Sequence, residues 1–145
     1  MSEDFPFVGS VSETASTGTE EENLPLLTEY AWDFNTDKFL YDGDGHHIIV
    51  TGQEALKVWI CKALKTGRYV HEAYSWSYGI ELKPFIGKVM GVKERYSELR
   101  RVIVECLMVN PYIKSIDSVT FAQDGPTVTC NITLTSIYGE VSLDV

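Results

Sequence analysis

The feature that most limits the fold is a change of hydrophobic period at one proline, Pro111. Before it, apolar residues recur at spacings of three and four, which predicts an amphipathic helix from about Val92. Pro111 disfavours helical geometry at Asn110 and has no N–H to donate, so the helix is predicted to end there. Beyond it the period becomes two, which predicts a strand with one buried face. The predicted buried positions are Tyr96, Leu99, Val102, Ile103, Cys106 and Leu107 on the helix and Val128, Cys130, Ile132 and Leu134 on the strand.

The rest of the chain predicts short strands first, then helices, then a sheet. Aromatic alternation and two turn-rich stretches predict short strands between residues 28 and 50. The spacing of Thr51 and Glu54 is that of a capping box, which predicts a second helix that ends near Gly67. The C-terminal strands are predicted at residues 113–121, 127–135 and 141–145. The predicted fold class is α+β, with N-terminal short strands, central helices and a C-terminal antiparallel sheet.

Length and apolar content are those of one domain with a substantial core. The chain has 145 residues, of which 44% are hydrophobic and 12% aromatic. No apolar run approaches the ~20 residues needed to span a bilayer, and the N-terminus lacks the basic and apolar regions of a signal peptide. A cytoplasmic protein with no membrane partner is therefore expected. The separate cysteines Cys61, Cys106 and Cys130 are expected to be reduced core residues.

Most of the net charge of −9 lies at the front of the chain. Residues 1–29 contain seven acids and no base, whereas the remainder has 14 acids and 12 bases. Because residues 1–27 are rich in Ser, Thr, Glu and Gly, they are predicted to form a flexible acidic arm, with residues 28–145 as a single domain. Residues 57–101 hold ten bases and four acids. This asymmetry fits either partner recognition or a solvated helix face, and the acidic arm argues against a nucleic-acid partner.

No group of residues has the spacing of a metal site. Asp42, Asp44, His46 and His47 lie close together in sequence, but an EF-hand needs a glycine where His47 stands and an acid where Gln53 stands. Gly and Asp are also the residues that a hairpin turn favours. The sequence therefore predicts a turn at this point, with no metal and no cofactor.

Catalytic signatures are likewise missing, so the chain is predicted not to be an enzyme. His71-Glu72 lacks the second histidine of a zinc protease, and there is no G-x-S-x-G nucleophile elbow or Gly-rich phosphate loop. A glycosidase needs a pair of carboxylates. The acids available for one are Glu54, Glu72, Glu81 and Glu105, and nothing in their spacing singles out a pair.

Five segments together resemble a known family. They are GQEAL at 52–56, KALKTGRY at 62–69, YGIEL at 78–82, NPYI at 110–113 and TSIYGE at 135–140. In order and spacing they resemble the small baseplate wedge protein, or sheath initiator, of contractile phage tails and phage-tail-like bacteriocins, in the branch found in defective prophages. The resemblance covers residues 28–145 and leaves the acidic arm outside. Many members carry Glu-Pro-Arg at the junction where this chain has Asn110-Pro111-Tyr112, so no salt bridge there is carried over.

The resemblance implies a structural subunit that nucleates the sheath. In such a role roughly six copies form a closed ring around the tube. The implied partners are the sheath protein, other baseplate wedge proteins and tube or hub proteins. Assembly would take place in the bacterial cytoplasm, before the protein joins a virion or tailocin baseplate. The alternatives are a lysozyme-like peptidoglycan hydrolase of a tail baseplate and a free-standing regulatory binding domain.

Two places are predicted to bind partners. At the helix-to-strand junction, family members contact wedge proteins, and Tyr112→Ala is expected to weaken assembly more than folding. At the C-terminus, apolar residues alternate in a last strand that no helix follows, so its edge is a candidate for adding a strand from a sheath subunit. The alternative is that this strand only closes the sheet. The predicted partner-binding residues are Asn110, Pro111, Tyr112, Val141, Leu143 and Val145.

Overall fold

Two small antiparallel pairs open the fold in the computed structural model, which describes residues 23–145. The strands are β1 (Thr28–Tyr30), β2 (Trp32–Asp33), β3 (Lys38–Phe39) and β4 (Ile49–Thr51). β1 pairs with β4 and β2 with β3. The turn after β2 forms because the Asp33 carboxylate accepts hydrogen bonds from the Asn35 N–H at 2.9 Å and the Thr36 hydroxyl at 2.7 Å. The predicted short N-terminal strands are confirmed.

Helix α1 (Gly52–Lys65) follows β4 directly. The predicted capping box is wrong, since the Thr51 side chain makes no capping hydrogen bond. Thr51 does hold the N-cap position, with the extended backbone usual for a cap, and it is also the last residue of β4, opposite Thr28 in the ladder. The Glu54 carboxylate pairs instead with Lys57 Nζ at 3.1 Å. The helix nonetheless ends where predicted, one residue before Thr66 and two before Gly67.

A long connection with one 3₁₀ turn (Lys83–Phe85) leads to helix α2 (Val92–Leu107). Gly79 lets this connection fold back on the end of α1: its φ is +98°, and a Cβ there would lie 2.7 Å from the Thr66 carbonyl. α2 ends at Leu107 with Met108 as its C-cap, a little before Pro111. Its predicted stripe is confirmed, with Val102, Ile103, Cys106 and Leu107 buried and Tyr96 and Leu99 half-buried.

The C-terminal sheet contains β5 (Ile113–Asp124), β6 (Thr127–Ser136) and β7 (Gly139–Asp144) in the antiparallel order β5-β6-β7. Cys130, Ile132 and Leu134 are buried as predicted, but Val128 is exposed. The Tyr96 ring of α2 stacks on Phe121, and the β5–β6 hairpin tip with Val128 extends past this contact. The α+β fold class is confirmed.

One core joins both helices to the C-terminal sheet. Its fully buried large side chains are Leu56, Ile60, Leu107, Ile132, Leu134 and Val141. Leu24 and Leu27 pack against this core from the segment before β1. The greater part of the predicted flexible arm, residues 1–22, lies outside the described residues, and the boundary at residue 27 stays a prediction. Among residues 23–145, no helix is long and apolar enough to cross a membrane.

Candidate functional site

The register of the C-terminal sheet determines which backbone groups of β7 face outward. Cys130 and Val145 exchange two backbone hydrogen bonds of 2.8 Å. In an antiparallel pair such bonded pairs recur every second residue, so Leu143 and Val141 also bond to β6. The N–H and C=O groups of the intervening residues, Glu140, Ser142 and Asp144, therefore point away from β6.

These outward groups are largely free within the described part of the chain. Gln53 of α1 donates its side-chain N–H to the Glu140 carbonyl. Within residues 23–145, the backbone N–H and C=O groups of Ser142 and Asp144 that point away from β6 form no hydrogen bond. β7 thus presents a regular edge with open donors and acceptors next to a single side-chain contact.

The three residues predicted for this edge attach β7 to the domain. Val141 is fully buried, Leu143 is half-buried against the core, and Val145 is bonded to Cys130. They hold β7 onto the domain. Sequence reasoning missed that the open backbone groups belong to the residues between them, although the same period of two places those groups.

The opposite edge of the sheet differs in geometry. The β5–β6 register shifts between Ile113 and Ser115 and again between Ile116 and Ser118. Such irregularities twist an edge away from further pairing. The Arg100 guanidinium of α2 also donates to the Val119 carbonyl at 2.8 Å. The β5 edge is therefore both bulged and partly capped.

At the junction, Asn110 folds the chain from α2 into β5. It is only 5% exposed. Its side-chain carbonyl accepts the Tyr112 N–H at 2.9 Å, and its backbone carbonyl accepts the Ile113 N–H at 3.1 Å. An Asn side chain can close such a turn on its own backbone, which explains this residue type before the proline.

Tyr112 is a core residue in this fold, 8% exposed. Its hydroxyl donates to the Pro25 carbonyl at 2.6 Å, and its ring stacks on Tyr138 with centroids 6.0 Å apart. The expectation that Tyr112→Ala weakens assembly more than folding does not follow from this placement. A contact of Tyr112 with a wedge partner stays a prediction.

The exposed part of the junction is a different set of side chains. Met108, Val109 and Pro111 are all exposed at the end of α2. Val109 and Pro111 also line a cavity of about 300 Å³, together with Trp59 and Tyr78. Sequence reasoning missed Met108 and Val109. The signal was that both are apolar and lie off the buried stripe of α2.

A comparison with known protein families identifies the family of this chain. A family model described as the contractile injection system sheath initiator matches residues 28–139. The chain belongs to this family. A comparison with curated proteins finds no match. As a sheath initiator, the chain is a structural component of a contractile injection system and interacts with sheath and baseplate components. Its place is the baseplate of a phage tail or tailocin.

In this sheath initiator the Asp42–His46 stretch forms a hairpin turn. Ligand-type atoms of Asp42, Asp44 and His46 lie within 4.8 Å of one another, and all three residues are exposed. The Asp42 carboxylate accepts the backbone N–H groups of Asp44 and His46, both at 2.9 Å. These bonds are the ones that an Asp-Gly turn requires, and they account for the cluster without a ligand.

The three cysteines of the sheath initiator are free and buried, as predicted. Burial raises the pKa of the Cys106 thiol to about 11. Burial, with a further contribution from Asp144, raises the pKa of Cys130 to about 11. Because the thiolate is the reactive form, these side chains are chemically quiet at neutral pH.

Proposed function

We propose that this sheath initiator starts the sheath by accepting a strand from a sheath subunit at the outer edge of β7. The observation that carries the proposal is the regular edge with open backbone groups at Ser142 and Asp144. An added strand would supply the missing hydrogen bonds, and alternate side chains would set its register. A β7 that only closes the sheet is the competing interpretation.

The contrast between the two edges supports this assignment. An uncovered regular edge favours unwanted association, so proteins generally blunt it with bulges, charges or a covering element. The β5 edge has bulges and the Arg100 contact, whereas the β7 edge has a continuous register from Gly139 to Asp144. We infer that the regular β7 edge is retained because it takes a partner strand.

The rest of the assignment follows from the family. In our proposal roughly six copies form a ring, and the exposed junction residues Met108, Val109 and Pro111 face baseplate wedge or hub proteins. The chain acts without catalysis, without a cofactor and without nucleic acid. Assembly takes place in the bacterial cytoplasm.

Ser142→Pro tests the strand-addition step. Ser142 N–H points away from β6, so proline removes an outward donor and leaves the internal ladder intact, as is tolerated on edge strands. We expect a folded protein that joins the baseplate but yields tubes without sheath, counted by negative-stain electron microscopy. Circular dichroism checks the fold.

Gln123→Pro is the matched control at the other edge. Asp124 and Thr127 form the last pair of the ladder before the hairpin turn. Hydrogen-bonded pairs alternate along the strand, so the N–H of the preceding residue, Gln123, also points away from β6. We expect normal sheath on this variant. Sheathed tubes on Ser142→Pro baseplates would contradict the proposal. Deleting residues 140–145 is a poorer test, because it removes the buried Val141 and destabilises the core.

The peptidoglycan hydrolase alternative has a direct test. Glu54 is paired with Lys57, and Glu105 with Arg101 at 2.8 Å, so these acids have structural partners. We expect purified protein to leave the turbidity of a peptidoglycan suspension unchanged. Clearing that disappears when Glu54, Glu72 or Glu81 is replaced in a still-folded protein would favour the hydrolase.

A further inference from the structure

A small groove with an apolar floor and a basic rim lies beside the end of α1. Its volume is about 210 Å³. Its lining has an apolar part, here called the floor (Val70, Ile80, Leu82 and Ile86), and a basic part, here called the rim (Lys65, Arg68 and Lys83), with one acid, Glu81. Together these residues define the basic groove. A site of this composition fits a segment that carries both acidic and apolar side chains.

Two of the three cations that line the groove have no acid partner among the described residues, although Arg68 donates a hydrogen bond to the Trp76 carbonyl at 2.8 Å. Within residues 23–145, no carboxylate forms an ion pair with Arg68 or Lys83, and the same holds for Lys88, Lys93 and Arg95 further along. Lys65 pairs with Asp37. Among the described residues, basic side chains therefore outnumber acidic ones around the groove.

Apolar surface continues from the groove toward α2. Ile86 is 78% exposed, Val89 is fully exposed, and Val92 at the start of α2 is more than half exposed. Single exposed apolar residues are common, but several in one short segment beside a groove mark a surface that takes a partner.

The N-terminal segment of the same chain has the complementary composition. Residues 1–22 contain six acids and no base. At residues 3–8 the sequence reads EDFPFV, so two acids stand directly before two phenylalanines and a valine. Phe side chains suit an apolar floor, and the neighbouring carboxylates suit a rim of lysine and arginine.

The connecting chain is long enough for this contact. An extended chain spans about 3.3–3.6 Å per residue, so the residues between Val8 and Asn23 reach up to about 50 Å. Leu24 packs on the core cluster that also contains Ile80 of the groove floor. A tether of this length gives an effective concentration in the millimolar range, so a weak contact is well occupied.

We propose that residues 3–8 of the chain's own N-terminal segment bind the basic groove, with the phenylalanines on the apolar floor and Glu3 and Asp4 at the basic rim. The contact is made within one chain. It is independent of the strand-addition proposal, since it concerns a different face and is measured on the isolated protein.

Photo-crosslinking of the full-length chain tests this contact. Phe7 is replaced by p-benzoylphenylalanine, and the crosslinked positions are mapped by peptide mass spectrometry. A mixture of isotopically light and heavy chains separates crosslinks within a chain from those between chains. We expect crosslinks within one chain to residues of the basic groove. The same probe placed at Thr17, which has no apolar neighbours, is the control for position and should give few of them.

Two exposed groove positions allow variants that leave the core intact. Lys83→Glu reverses an unpaired rim charge, and Ile86→Ser removes an exposed floor side chain. Each is expected to weaken the contact about tenfold, which corresponds to about 1.4 kcal/mol, and so to lower the yield of groove crosslinks about twofold or more. Lys38→Glu on β3 makes the same charge change elsewhere and should leave the yield unchanged.

The proposal is overturned by crosslinks from position 7 only to sites outside the groove, by crosslinks only between chains, or by a yield that neither groove variant changes. The second result would indicate that the groove receives the arm of another copy. An absence of crosslinks from position 7 would also count against the contact.

Discussion

The two edges of the C-terminal sheet carry the same kind of strand but expose it differently. β5 has two register shifts and an arginine on its Val119 carbonyl, whereas β7 runs in regular register and, within residues 23–145, its outward backbone groups accept a single hydrogen bond, from Gln53 at one end. Both edges flank the same central strand, β6. The difference teaches that register and a few side-chain contacts decide whether the backbone groups of an edge stay open.

The largest expected effect concerns the anchor of the β5 edge, Tyr112. Its ring is buried just before β5 and its hydroxyl reaches Pro25. Tyr112→Ala should lower the free energy of unfolding by about 3 kcal/mol or more, as deletion of a buried aromatic ring usually does. Urea denaturation followed by circular dichroism measures the change.

Tyr112→Phe is the matched control. It keeps the ring and loses only the hydrogen bond to Pro25, so we expect a loss of about 1 kcal/mol. A Tyr112→Ala protein with nearly normal stability and defective baseplate assembly would show instead that Tyr112 acts mainly in partner contact.

A smaller effect is expected at Arg100, which caps the β5 edge. Arg100→Ala leaves the Val119 carbonyl without its donor and should cost about 1 kcal/mol, below the usual range for a charged hydrogen bond because the side chain is partly exposed. The opened edge should also self-associate, as seen by sedimentation velocity.

Arg101→Ala provides the comparison for that experiment. Arg101 stands next to Arg100, and its partners among the described residues are Glu98 and Glu105 of its own helix, so its removal should have little effect on stability. No self-association is expected. If both variants self-associate equally, Arg100 does not protect the β5 edge from pairing.

The smallest effect should appear in the chemistry of two thiols. The backbone of Cys130 is hydrogen-bonded to Val145, the residue directly after β7, while Cys106 lies on α2 in the core. Because strand ends open locally more often than packed helices, Cys130 should react with a thiol reagent a few-fold faster than Cys106 in single-cysteine variants. Slower labelling of Cys130 would mean that the end of β7 opens less often than α2.

The same thiols give a pH dependence with a definite sign. Burial raises the pKa of both from 9.0 to about 11, so the folded state holds its protons more firmly than the unfolded state. The stability from this source is fully present below pH 9 and is lost as the pH rises through about 11. Urea midpoints measured between pH 8 and pH 11 should therefore fall, and less so when either cysteine is replaced by alanine.

Local pattern predicted the elements that a period alone defines. The stripe of Val102, Ile103 and Cys106 and the alternation of Ile132 and Leu134 are consequences of helix and strand geometry acting on neighbouring residues. The α+β order and the helix end before Pro111 follow from the same short-range rules.

Only tertiary structure decided how these elements are used. Thr51 has the sequence of a cap but belongs to a strand pair with Thr28, and Tyr112 has the sequence of an exposed junction but is buried under residues 24–27. The open groups of Ser142 depend on the register between β6 and β7, and the capped Val119 depends on where α2 crosses the sheet. Such outcomes arise from contacts between residues far apart in the chain, and a local hydrophobic period carries no information about them.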